Sequence, residues 1–296
     1  MSNSLKIMLS ASEVFPIAKT GGLADVAGAL PKELKKMGHD VRVVMPRYYG
    51  VGVEKYQLKS LGIPLGVPMG IIGELWCGVY EGRLPHSDVP IYFIEQEDFF
   101  GRDSLYNDDN GEGFLDNDNR FIFLSRATLQ LCKMLDFKAD IIHGNDWHTA
   151  SVSVFLNTIY AHDEHLGRSA SILTVHNIQY QGNFYEGVMD VLGVGWEHYN
   201  YKELEHHDTV NLLKGGINHS TLFNTVSNGY AKEMQTSEYG YGLEDVVRDR
   251  NWALRGIING CDYEEWNPSS DPFIAKNFDV DNMGGKAYCK EDLQKI

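Results

Sequence analysis

The chain has 296 residues, 43% of them hydrophobic, enough to bury a large core as one big domain or two small ones. Its 26 lysines and arginines face 41 acids for a net charge of −15, with nine acids against one arginine in 95–118; such a surface repels nucleic acid and anionic lipid, so neither is expected as a partner. Four widely spaced cysteines fit neither a disulfide framework nor a zinc site, and no run approaches the about 18 apolar residues of a membrane helix, so a reduced cytoplasm is expected, with no metal and no membrane.

In chain order, KIMLSA (6–11) reads as a strand. A Lys-Thr-Gly-Gly turn follows, and then Leu23, Val26, Ala27, Leu30, Leu34 and Met37 recur at helical spacing. Gly38 stops that helix and VRVVMP (41–46) supplies the second strand, completing a βαβ unit. Residues 50–88 alternate glycine with apolar side chains and predict a hairpin-like excursion; VPIYFIE (89–95) is a further strand, and 95–118 a polar loop. Two helices, an amphipathic one over 119–137 and another over 148–163, alternate with strands ADIIHG (139–144), SILTVH (171–176), LFNTVS (222–227) and RGIING (255–260). This alternation predicts an α/β fold: a Rossmann-like, mainly parallel sheet with helices on both faces. From 261 the pattern lapses around Asn-Pro and Asp-Pro pairs, reading as a linker, and the final AYCKEDLQKI opens a helix that is not capped. The expected division is therefore a domain over 1–260 and a linker over 261–296 into a domain of a longer protein.

Ligands of open parallel sheets bind outside the carboxyl ends of the strands. The polar residues expected there are Lys19, Thr20, Gly21 and Gly22; Asn145, Asp146, Trp147 and His148; His176 and Asn177; Ser227 and Asn228; and Asn259 and Gly260. Two glycines before a helix let the backbone approach an anion, and a lysine beside them adds a mobile charge suited to phosphate. The same residues also suit a plain tight turn with a solvated lysine. Because the second strand ends in Pro46-Arg47 and lacks a ribose-binding acid, a nicotinamide cofactor is not expected. Asp146 beside Trp147 suits a sugar, the carboxylate taking hydroxyls and the indole covering a ring face, or else Asp146 is an ordinary helix cap. His176 is either a site residue or a satisfied core histidine. His206-His207-Asp208, placed on a helix, diverge and read as a solvated patch, and the aromatic run from Tyr180 to Tyr201 as core or rim. Asp146 is the one strand-end acid noted.

Five ordered blocks, SASEVFPIAKTGGLADVAGALPKELKKMGHDVRVVMPRY, HGNDWHTA, TVHNIQYQG, NTVSNGYAKEM and GIINGCDYEEWNP, together resemble the amino-terminal half of the bacterial glycogen (starch) synthases, glycosyltransferase family 5. The resemblance implies a two-domain GT-B fold and transfer of glucose from ADP-glucose to the nonreducing end of an α-1,4-glucan with retention, without a cofactor. It also implies that Lys19, Gly21, Gly22 and Asn259 bind the sugar nucleotide, and that Asp146 and His176 are catalytic. Trp147, His148 and Tyr106 would lie on the acceptor and glucosyl side. Asn228-Gly229 stand where the family has Pro-Thr or Pro-Ser, a change expected to be tolerated because Ser227 can cap the next helix. The resemblance further implies that the second domain's phosphate-gripping bases are missing and that the fragment alone is inactive. The alternatives are another GT-B sugar-nucleotide transferase or epimerase, or a noncatalytic glucan- or nucleotide-binding module.

Overall fold

The computed structural model describes residues 4–295, which form two compact units, one ending at Ile258 and one beginning at Asn259. The first unit runs β1 (Lys6–Ser10), α1 (Gly22–Lys36), β2 (Asp40–Pro46), β3 (Lys59–Ser60), β4 (Leu65–Pro68), β5 (Glu74–Arg83), β6 (Pro90–Glu95), α2 (Glu97–Phe100) and α3 (Asn117–Met134). It continues with β7 (Ile141–Asn145), α4 (Asp146–Asn157), β8 (Ala170–Val175), β9 (Asn183–Tyr185), α5 (Val188–Leu192), β10 (Glu205–His206), β11 (Thr209–Asn211), α6 (Leu212–His219), β12 (Leu222–Thr225), α7 (Asn228–Glu233), α8 (Glu244–Asp249) and β13 (Leu254–Gly256).

Ten strands form one sheet in the order β13-β12-β8-β7-β1-β2-β6-β5-β3, with β4 also on β5. From β13 to β6 every pairing is parallel, while β5 pairs antiparallel with β6, β3 and β4, making the 50–88 excursion a hairpin. The central strands β1, β7 and β8 are mostly buried and carry apolar runs such as Ile7-Met8-Leu9, as a parallel sheet covered on both faces requires. From β1 the chain winds outward through β2 and β6, then returns to build the other side from β7. The strand order therefore reverses between β1 and β7, and the crevice outside their carboxyl ends is where such a sheet binds ligands.

Three expectations are corrected here. The 119–137 segment is helical but not amphipathic: Phe121, Ile122, Phe123 and Leu124 are consecutive and all buried, because α3 is covered on all sides. The final strand ends at Gly256, so Asn259 and Gly260 are not on it; its last ladder bond is from Ile257 N to Thr225 O. His206-His207-Asp208 form the β10–β11 hairpin turn, His207 and Asp208 having positive φ, rather than lying on a helix. Tyr180, Tyr185, Trp196 and Tyr201 are exposed rim, and only Tyr199 packs on the core.

The second unit begins with turns held by short polar side chains, Asn267 Oδ1 accepting from Ser269 N at 3.0 Å and Asp271 Oδ1 from Phe273 N at 2.8 Å. It ends in α9 (Gly284–Leu293), where Gly285 lies so close to the Asn277 carbonyl that a Cβ would stand 2.2 Å from it.

Candidate active site

The crevice between β1 and β7 is organised by a residue outside the expected strand-end set. Glu13, 4% exposed just beyond β1, accepts hydrogen bonds from Thr20 N, from Thr20 Oγ1 at 2.7 Å, from Gly21 N at 3.1 Å and from Tyr106 Oη at 2.7 Å. One carboxylate thus folds the Lys-Thr-Gly-Gly turn back onto the strand it left. Those two amides are consequently turned inward, and what faces outward is the start of α1, whose cap Gly21 offers no side chain to its first N–H groups. Lys19 is exposed; its Nζ is 2.7 Å from Asp25 Oδ1 and 5.2 Å from the centre of the Phe15 ring.

Tyr106 carries the network across the crevice. Its hydroxyl also meets Ser12 Oγ at 2.7 Å, and its ring stacks on His148 with centroids 4.6 Å apart. His148 in turn lies 4.2 Å from the Trp147 ring and 4.7 Å from Phe121. Burial, with Arg120 nearby, pushes the His148 pKa down to about 3, so the ring is neutral, and its buried Nδ1 has no hydrogen-bond partner.

Asp146 is not a helix cap. Asn145 holds the cap position of α4, while Asp146 Oδ1 accepts from His176 N at 2.7 Å and Asn177 N at 3.4 Å, tying the end of β7 to the end of β8. Its φ of +53° lies in the left-handed region, which Asp tolerates better than most residues, and which turns the carboxylate away from its own helix. Burial raises the Asp146 pKa to about 7 against those two amide bonds, with Glu13 adding a smaller push. His176 places Nε2 3.0 Å from Asn145 Oδ1, and burial lowers its pKa to about 4, again leaving a neutral ring.

Contacts therefore run unbroken from Thr20 and Gly21 through Glu13, Tyr106, His148 and Trp147, and Asp146 joins that end to His176. Lys19 and Gly22 lie at the opposite, solvent-facing end, and Asn259 belongs to the second unit. Ser227 caps α7, accepting from Tyr230 N at 2.9 Å, as expected despite the Asn228-Gly229 departure. Tyr230 is a second neighbour missed in the sequence: its hydroxyl accepts from Ile178 N at 3.0 Å, fixing the loop after His176. That loop closes on Trp147 at Gly182, whose φ is +63° and where a Cβ would stand 2.5 Å from the indole. A groove of about 390 Å³ beyond the loop is lined by Gln179, Gln181, Asn183, His206 and Tyr241 among others. A larger cavity of about 480 Å³, lined by Lys55, Lys59 and Arg83, lies on the β3–β5 excursion and shares no residue with the crevice. Among the described residues no trio of metal-type ligands lies in the crevice.

A family profile described as the starch synthase catalytic domain matches residues 6–249. Glycogen synthase 1 of Geobacter metallireducens is 59% identical over 98% of this chain and 58% of its own length. Glycogen synthase of Syntrophotalea carbinolica is 42% identical over 98% of this chain and 59% of its own. The chain thus spans somewhat over half the length of these curated relatives. Among solved structures, the catalytic domain of starch synthase IV from Arabidopsis thaliana, bound to ADP and acarbose, matches with a TM-score of 0.87 at 31% identity, over 99% of this chain and 59% of that one. The mostly parallel sheet and its helices are those of that GT-B type fold.

Proposed function

Because the chain belongs to the starch synthase catalytic domain family, we propose that it forms the amino-terminal half of a cytoplasmic glycogen synthase, a hexosyltransferase that moves glucose from ADP-glucose to the nonreducing end of an α-1,4-glucan with retention. Residues 1–260 are its amino-terminal GT-B domain, and 261–296 lead toward the carboxyl-terminal domain that completes the nucleotide site. The observation carrying this reading is the string of contacts linking the lysine-glycine turn to Asp146 and His176 at the strand-order reversal.

Departure of ADP builds negative charge on the diphosphate and positive charge on the anomeric carbon. Lys19, released from Asp25, and the amino end of α1 meet the first, together with Gly21 and Gly22, which let the phosphates approach the backbone. On the other side, neutral His176 and His148 offer hydrogen bonds to sugar hydroxyls without repelling the cationic carbon, and Trp147 and Tyr106 line the glucosyl and acceptor side. Asp146 orients hydroxyls and balances charge; the departing phosphate takes the proton of the acceptor hydroxyl as that oxygen attacks from the same face. The family resemblance also assigns Asn259 to sugar-nucleotide binding. No cofactor is required.

Incubation with labelled ADP-glucose and glycogen tests the proposal. The chain continued through its carboxyl-terminal domain is expected to elongate glycogen, and 1–296 alone is not. Sugar-nucleotide turnover without label in glucan, from the longer chain, would point instead to an epimerase. Elongation by 1–296 alone would remove the half-site reading.

A further inference from the structure

At the end of the sheet away from the crevice, three side chains outside the catalytic network converge. His198 lies in the turn Trp196–His198, Glu203 in the loop before β10, and His219 closes α6. His198 Nδ1 is 2.5 Å and His219 Nε2 3.0 Å from the same oxygen, Glu203 Oε2, and all three ligand atoms lie within 4.8 Å of one another. His219 is only 8% exposed, and its buried Nε2 is aimed at this point without hydrogen-bond geometry toward the Glu203 oxygen 3.0 Å away. We infer that His198, Glu203 and His219 form a site for one divalent transition-metal ion of the zinc class.

The donor set is two imidazoles and a carboxylate, which selects zinc, cobalt or nickel over magnesium or calcium. Tetrahedral zinc holds such ligand atoms about 3.3 Å apart, so each histidine nitrogen, now 2.5 and 3.0 Å from the Glu203 oxygen, would move outward by less than about 1 Å to admit the ion. The surroundings are those of a metal site, where the remote nitrogen of a ligating histidine and the second carboxylate oxygen are themselves held. Asn157 Nδ2 stands 3.0 Å from His219 Nδ1, and Asn200 Nδ2 donates to Glu203 Oε1 at 3.2 Å. Coordination through Nε2 places the proton on Nδ1, which then donates to the Asn157 carbonyl oxygen after a half-turn of that amide. The ion has a structural role: α4 begins in the crevice at Asp146 and carries Asn157 to this cluster, about 17 Å away at 1.5 Å per residue. It would clamp the end of α6 to the 198–203 loop.

The test is cobalt and zinc binding to the chelator-treated chain. One equivalent of Co²⁺ with tetrahedral visible absorption, displaced by Zn²⁺, is expected, with a higher melting temperature when zinc is present. Glu203→Gln, which retains hydrogen-bonding capacity toward His198 and Asn200, and His198→Asn should each weaken zinc binding by about 100-fold or more. Absence of a saturable site, or equal affinity in both folded variants, as binding at His206 and His207 would give, overturns the inference. Should one variant fail to fold by circular dichroism, the other decides.

Discussion

The two banks of the crevice are built on opposite physical principles. The β1 bank is ionic and open at its mouth: Lys19 is exposed, paired with Asp25, and set on a glycine turn that the buried Glu13 braces. The β7 and β8 bank is dry, and burial has stripped charge from its titratable groups, with His148 and His176 neutral and Asp146 near half-protonation at neutral pH. An enzyme that parts a diphosphate from a sugar needs this asymmetry. Under the proposed function, mobile charge would follow the leaving group while fixed neutral dipoles would hold the sugar in place.

The comparison breaks most sharply at Asp146. In the full-length enzyme, Asp146→Asn should lower turnover about 1000-fold if the carboxylate balances developing charge. The same change should stabilise the fold. A carboxyl whose folded pKa lies near 7 penalises folding increasingly as pH rises from its unfolded value near 4, and fully above 7. The variant should therefore gain up to about 4 kcal/mol at pH 8, and the gain should vanish by about pH 4. Equal stability of the two proteins at pH 8 would refute the dry-bank description.

Crossing the banks comes next. Lys19→Ala and His176→Ala should each cost about 100-fold in kcat, but only the lysine change should also weaken ADP binding measured by calorimetry. Parallel losses in both quantities for both variants would erase the division of labour. Gly182→Ala probes packing of the dry bank alone: a positive φ and a Cβ against the indole should cost about 2 kcal/mol in urea unfolding and shift Trp147 fluorescence. Smallest is Asp25→Asn. The exposed pair with Lys19 is worth under about 0.5 kcal/mol, so the melting temperature should barely move.

Local pattern carried most of the architecture into view. The runs at 6–11, 41–46 and 171–176 are strands because each is a short apolar stretch bounded by turn residues, and the α1 stripe is helical because its spacing is. What local pattern cannot register is partnership at a distance. Glu13 and Tyr106 are 93 residues apart, and nothing near either announces the bond. Glu13 has a legible signal in the sequence: it is the first acid beyond β1, a strand-end position like that of Asp146. The burial of α3 was missed for a related reason, since a helix covered on all sides has no polar face to set its period. The extent of β13 depended on where its pairing with β12 runs out, which its own residues do not state.

Those sparse outer strands bear on how copies of the chain behave in a crowded solution. The ten-stranded sheet is finished on one side by the three residues of β13 and on the other by the two of β3, with the neighbouring β4 closed by Pro68. A foreign strand seeking to extend the ladder finds few consecutive unpaired amides at either margin, so the sheet has little tendency to grow from molecule to molecule.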